Sequence, residues 1–179
     1  KPMQPEGGMP PRAVPVQWEV ATDQRFTQVV QMGMTVADPD TVHSVHVEVK
    51  SLSPGRTYFY RFEAGGQRSA VGRTRTAPDP LANNDRLRVA VASCQHYEAG
   101  YFVAHRDMAA ADIDLVLFVG DYIYETEASG VFRVRQHPHV FPPDPAHFTL
   151  NDYRLHHASY KLDADLRANH AAHPWLLVW

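Results

Sequence analysis

Apolar and polar residues alternate with period two along the first part of the chain. In "VPVQWEV" the residues Val14, Val16, Trp18 and Val20 point one way while Gln17 and Glu19 point the other, the signature of a half-buried strand. Val45, Val47 and Val49 alternate in the same way with His46 and Glu48, and Tyr58, Tyr60 and Phe62 alternate with Phe59 and Arg61. Gly, Pro and Asp clusters separate the runs. The pattern predicts strands over 13–21, 27–35, 43–50, 57–63 and 68–75, arranged as a small antiparallel sandwich.

After the polar, proline-containing stretch "APDPLANND", a linker by composition, the period changes. "LRVAVAS" and "DIDLVLFVG" are continuous apolar runs of strand length, and "YFVAHRDMAAA" between them has helical composition. This is a β-α-β unit, whose parallel sheet is expected to be covered on both faces. An irregular insertion rich in His and Pro is expected over 129–147. Thr149 and Asp163 are placed to cap two helices, "LNDYRLHHASYKL" and "ADLRANHAAH", and "WLLVW" reads as a third buried strand. The expected organisation is a sandwich module over 1–76, a linker over 77–86 and an α/β portion over 87–179.

Composition narrows the function classes. The 179 residues are 44% hydrophobic and 21% charged, ordinary for a globular protein. No apolar run approaches the roughly 20 residues of a membrane-spanning helix. Seventeen basic and 20 acidic residues leave a formal charge of -3, so no basic excess points to nucleic acid as a partner. The single cysteine, Cys94, excludes an intrachain disulfide framework. The opening "KPMQPEGGMPP" has neither the basic start nor the apolar stretch of an export signal.

Ligands of an open parallel sheet bind beyond the carboxyl ends of its strands. Here those ends carry Ser93-Cys94-Gln95-His96 and Gly120-Asp121-Tyr122-Ile123-Tyr124-Glu125. Adjacent parallel strands put Cys94 and Asp121 at one level. Carboxylate, thiolate and phenolate together suit a cation of high charge, which can hold Cys and Tyr deprotonated although their ordinary pKa values are roughly 8.5 and 10. The competing reading makes Cys94 a small apolar residue and Tyr124 a core aromatic. Tyr122 is assigned to packing and Glu125 either to support of the site or to a solvated turn. His137 with His139, and His156 with His157, offer a second ligand set, but none lies at a strand end, and adjacent helical positions diverge; surface or packing roles are expected for them. Arg133 and Arg135 are either bidentate phosphate donors or solvated side chains.

Two resemblances add to this reading. "LSPGRTYFYRF" places Leu52, Pro54 and Tyr58 with the spacing that leads into the tyrosine corner of fibronectin type III domains. About seven strands make such a sandwich, so this resemblance implies an incomplete one that lacks its first strands. "VASCQHYEAGYFVAHRDMAAADIDLVLFVGDYIYE", "LNDYRLHHASYKLDADLRANHAAHPWLLVW", "VQWEVATDQRF" and "VGRTRTAP" resemble the alkaline phosphatase D family. Its members are similar to purple acid phosphatases in a metallophosphatase α/β domain.

The family resemblance implies a fibronectin-III-like module followed by the first part of that catalytic domain. It places an aspartate bridging two metals on Asp121, a tyrosine bound to ferric iron on Tyr124 and a cysteine ligand on Cys94. It further implies ferric iron (Fe3+) with calcium (Ca2+), phosphate-ester substrates, export from the cell to a periplasmic or secreted location, and further ligands and acid/base residues beyond Trp179. The implied activity is phosphodiesterase and phosphomonoesterase hydrolysis by a metal-activated water, with this segment inactive by itself. Two other readings stay open: a non-enzymatic cell-wall or adhesion module using the sandwich surface, and a cyclic-nucleotide phosphodiesterase.

Overall fold

The structure is a computed structural model and describes residues 9–83, 85–126, 128, 130, 133–140 and 142–179. Residues 1–8 of the opening stretch and residues 129, 131, 132 and 141 of the expected insertion lie outside the described residues.

The first part is an antiparallel sheet. β1 (Val14–Ala21) pairs on one side with β2 (Val29–Ala37) and on the other with β3 (Thr57–Ala64), and β3 also carries β4 (Gln67–Arg68) and β5 (Gly72–Arg75). The single strand expected over 68–75 is therefore two, parted where Ser69 turns its backbone N–H to Phe62 O and its hydroxyl to the Phe62 N–H. Val16, Val20 and Tyr58 are buried on the face that the alternation assigned inward. On the opposite face, Glu19 and Arg61 form a cross-strand ion pair of 2.6 Å, with the Arg61 guanidinium over Phe26. The Ser53 N–H donates to the Tyr58 hydroxyl at 3.0 Å.

The strand expected over 43–50 does not form. Val45, Val47 and Val49 are half-buried and His46, Glu48 and Lys50 exposed, so the alternation is kept, but this stretch has no strand partner among the described residues. It lies across the Trp18, Val20, Tyr60 and Phe62 face, leaving a groove of about 430 Å³. Period two decides which side chains turn inward; a ladder also needs a neighbouring backbone. Val42 just before the stretch, His43 at its start and Ser51 after it have φ of 52°, 54° and 61°, which interrupt extended backbone at both ends.

The second part holds a parallel sheet in the order β6 (Val89–Ala92), β7 (Leu115–Val119), β8 (Trp175–Val178). α1 (Val103–Ala110) joins β6 to β7, while α2 (Leu150–Tyr160) and α3 (Ala164–Ala172) precede β8. Both expected caps are present. Thr149 and Asp152 form a reciprocal capping box, and the Asp163 carboxylate accepts from the N–H groups of Asp165 and Leu166. The core lies between helices and sheet: Tyr97, Phe102, Phe118, Tyr122, Tyr160 and Leu166, with Trp175 packed against them.

Of the two covered faces expected for this sheet, the described residues cover one. The helices all pack on the Phe118 side. On the other, Val91, Val119, Leu176 and Val178 are 59%, 48%, 59% and 55% exposed. The sequence is apolar on both faces because parallel strands are built for two layers, and the described residues supply one. The two parts touch where Arg73 donates to the Ala172 carbonyl at 3.1 Å and Arg75 pairs with Asp114.

Candidate metal centre

The register Ala92↔Phe118 between β6 and β7 brings the residues after both strands to one level. The pairing continues beyond the strands: the Cys94 N–H donates to Gly120 O and the Gln95 N–H to Asp121 O, each at 3.2 Å. Gly120 leaves β7 with φ of 126°, a conformation that suits a residue without a side chain. Cys94 and Asp121 are left-handed, with φ of 58° and 56°. For side chains other than Asn, Asp and Gly such backbone is uncommon, and it aims both side chains into the same space beyond the sheet.

There the three groups singled out from the sequence meet. The Cys94 thiol donates to Asp121 Oδ2 at 3.5 Å, and the Tyr124 hydroxyl donates to the same oxygen at 3.0 Å. Cys94 and Asp121 are exposed, and Tyr124 is half-buried. Partial burial, and then the neighbouring Asp121 and Cys94, push the Tyr124 hydroxyl well above the ordinary phenol value. The phenol therefore keeps its proton unless a cation offsets these neighbours. Among the described residues no group of three or more His, Cys, Asp and Glu side chains is gathered as a metal site; the cluster has two of that kind plus a phenol.

Residues the sequence did not single out hold this cluster. The His96 ring stacks on Tyr124, with centroids 4.6 Å apart and planes at 27°. Its Nε2 donates to Thr126 O at 3.0 Å, and its Nδ1 lies 3.0 Å from the carboxylate of Glu98, a residue 2% exposed. Glu98 O in turn accepts the N–H groups of Val134 and Arg135. Nothing in the spacing of His96 and Glu98 signals this, because it arises from a 3-10 turn over Tyr97–Ala99. A cavity of about 840 Å³ opens beside Asp121, lined also by Glu125, Arg154, Lys161 and Trp179. Burial lowers the Lys161 pKa to about 8, and its ammonium sits over the Tyr122 ring.

The remaining expectations separate cleanly. Tyr122 is 4% exposed and belongs to the core, and Glu125 is exposed. His137 and His156 are buried, their rings 4.6 Å apart, against Tyr97 and Tyr160; His157 stacks on Tyr122, and His139 lies 3.9 Å from the Asp152 carboxylate. These are packing positions. Arg133 is exposed. Arg135 is neither solvated nor free for phosphate: its guanidinium pairs with Asp163 at 2.8 Å, donates to Tyr97 O and lies over the Tyr97 and Phe102 rings. Nη1 is taken by the buried Asp163 carboxylate and Nε by the Tyr97 carbonyl, so the two-pronged face that an incoming phosphate would need is already divided.

Both parts of the chain resemble known proteins. Residues 89–179 match the family model of the PhoD-like phosphatases, and residues 2–78 match that of the PhoD-like phosphatase N-terminal domain. Alkaline phosphatase D of Bacillus subtilis (strain 168) is 47% identical over 179 residues, an alignment covering 97% of this chain and 30% of that protein. The solved "Structure of PhoD" superposes with a TM-score of 0.92 at 46% identity, covering 100% of this chain and 34% of the other. This chain thus spans about a third of the length of the relatives it matches. With one family's models matching both of its parts, the chain belongs to the PhoD-like phosphatases.

Proposed function

We propose that the protein carrying this chain hydrolyses phosphate esters, as phosphodiesterase and phosphomonoesterase, at a metal centre to which Cys94, Asp121 and Tyr124 contribute. The observation that carries this reading is the convergence of a thiol and a phenol on one carboxylate oxygen at the carboxyl ends of adjacent parallel strands. The donor set fits the ions that the family resemblance implies. Tyr124 and Cys94 would hold ferric iron through phenolate and thiolate, and Asp121 would add the carboxylate oxygen that calcium also accepts. When bound, the metals supply Lewis acidity at the phosphoryl group and lower the pKa of the attacking water.

What this chain does toward that chemistry follows from its own residues. Gly120 frees the exit from β7, the left-handed Asp121 presents its carboxylate outward, and the 121–124 turn returns the Tyr124 hydroxyl to it. His96 holds the Tyr124 ring by stacking, which fixes where the oxygen points. In the same reading the first part is an incomplete fibronectin-III-like sandwich, supported by the Tyr58 hydroxyl accepting from Ser53 N–H, and the second is the start of a metallophosphatase domain. Export from the cell, to a periplasmic or secreted location, belongs to the same proposal.

The test compares full-length wild type with Asp121→Asn and Tyr124→Phe. Wild type is expected to bind iron with a visible phenolate-to-iron absorption band. Tyr124→Phe keeps the ring and its stack on His96, so the fold should persist while band and iron affinity decline together. Asp121→Asn should abolish metal-dependent ester hydrolysis. A Tyr124→Phe protein with the same iron content and the same visible spectrum as wild type would remove that residue from the centre.

A further inference from the structure

Cys94 stands on left-handed backbone that persists only where its surroundings hold it, and Asp121 beside it shares that conformation. Directly behind them lies a row of buried polar side chains. Gln95, 7% exposed, donates through Nε2 to Tyr122 O at 3.1 Å, the carbonyl next to Asp121. Its Oε1 is 2.9 Å from Nε2 of His105 in α1, a residue 5% exposed. Nδ1 of His105 is 2.9 Å from Nδ2 of Asn169 in α3, which is fully buried.

The direction of this row is fixed from one end. A carbonyl can only accept, so the amide nitrogen of Gln95 must face Tyr122 O and its oxygen must face His105. His105 therefore carries its proton on Nε2 and presents a bare Nδ1, which only the amide nitrogen of Asn169 can satisfy. Burial lowers the His105 pKa, favouring the neutral ring that this arrangement requires. No link can be reversed without setting two acceptors or two donors against each other.

We infer that Gln95, His105 and Asn169 form a directional hydrogen-bond relay that positions Cys94 and Asp121 from helices α1 and α3. The relay clamps both loops at once. Gln95 adjoins Cys94 in sequence, and its side chain grips the residue after Asp121. That the two positioned residues are metal ligands rests on the function proposed above; the relay itself does not.

The experiment measures amide hydrogen exchange in the full-length protein without metal, and ferric iron affinity with iron alone as the probe. Gln95→Glu keeps the acceptor for His105 but loses the donor to Tyr122 O. Asn169→Leu removes the far donor without burying a charge. The matched control is His173→Leu, which breaks the bond from a 4% exposed residue to Met108 O, again between α3 and α1 but touching neither loop.

Peptides covering 92–96 and 119–123 are expected to exchange about tenfold faster in both relay variants and not in the control, compared at equal loss of melting temperature. Iron affinity should fall about 10- to 100-fold in the relay variants alone. Unchanged exchange in the relay variants, or equal acceleration in the control, overturns the inference. If Asn169→Leu does not fold, Gln95→Glu decides by itself. A wild type that binds no iron sinks the metal reading, while the exchange comparison still decides the relay.

Discussion

Asp163 and Arg135 give the sharpest quantitative test of how the second part is held. The Asp163 side chain is 7% exposed and that of Arg135 10%. One carboxylate oxygen caps α3 through Asp165 N and Leu166 N, at 3.0 and 3.1 Å, and the other accepts from Arg135 at 2.8 Å. Asp163→Ala removes a cap worth about 1 kcal/mol and strands a buried guanidinium, which costs about 3–5 kcal/mol. The sum, about 4–6 kcal/mol, is a large part of the roughly 5–15 kcal/mol that holds a domain folded.

Asp163→Asn keeps an oxygen for the cap and loses only the charge, so it should be about 1 kcal/mol milder than Asp163→Ala. Arg135→Met should be milder than either, because the carboxylate left behind keeps its two backbone donors. The pair Asp163→Asn with Arg135→Met should cost clearly less than the two changes summed. Urea unfolding at neutral pH measures all four. Additive costs in the double variant, or Asn and Ala variants that are equal and each below about 1 kcal/mol, would refute the reasoning. Burial alone pushes the Asp163 carboxyl up, but Leu166 N–H and the Arg135 guanidinium outweigh it, and its pKa lies below the ordinary value. This contribution is therefore present above the unfolded carboxylate value of about 4 and is lost as pH falls through the folded one.

Tyr58→Phe should destabilise the first part by about 1–2 kcal/mol, because it orphans the Ser53 N–H in a half-buried corner, and no change in the urea midpoint would count against that bond. Gly120→Ala meets nothing closer than Trp179 O at 3.7 Å, so its cost, about 1–3 kcal/mol, should come from backbone strain and appear as faster exchange at 119–123 rather than as loss of the core. Burial lowers His137 to about 4 and both His156 and His170 to about 3, while the unfolded chain protonates near 6.5. These rings contribute stability that is whole above about pH 6.5 and is lost as pH falls toward 3–4; a urea midpoint flat between pH 7 and pH 5 would contradict it.

What the sequence made legible was local or came from period. Thr149 and Asp163 cap the expected helices because a cap needs only residues one to three positions away. Cys94 and Asp121 meet because parallel strands of similar length bring their ends to one level, a rule of topology rather than of contact. The stretch 43–50 kept its alternation but not its pairing, since a ladder depends on a partner that pattern cannot locate. Arg135 could not be assigned from its neighbours in sequence, because its counterion stands 28 positions away. Gln95, His105 and Asn169 escaped notice for the same reason: each is an unremarkable polar residue until three separate segments bring them into one row.

Helix α3 carries no donor of the proposed centre, yet both supports of that centre end on it. Asn169, in its second turn, starts the relay through His105 and Gln95 to the carbonyl beside Asp121. Asp163, its cap, holds Arg135, whose backbone N–H is bonded to Glu98 O, and Glu98 faces the His96 ring that stacks on Tyr124. The first path reaches the cluster from beneath the sheet ends and the second reaches it from the side of the phenol. A shift of α3 along its axis would therefore move the carboxylate and the phenol by different routes and spoil the one oxygen on which they meet. This accounts for the burial of polar groups at that interface, where an apolar contact would pack as well: hydrogen bonds fix position along the helix axis as well as across it, and a site built from strained backbone needs both.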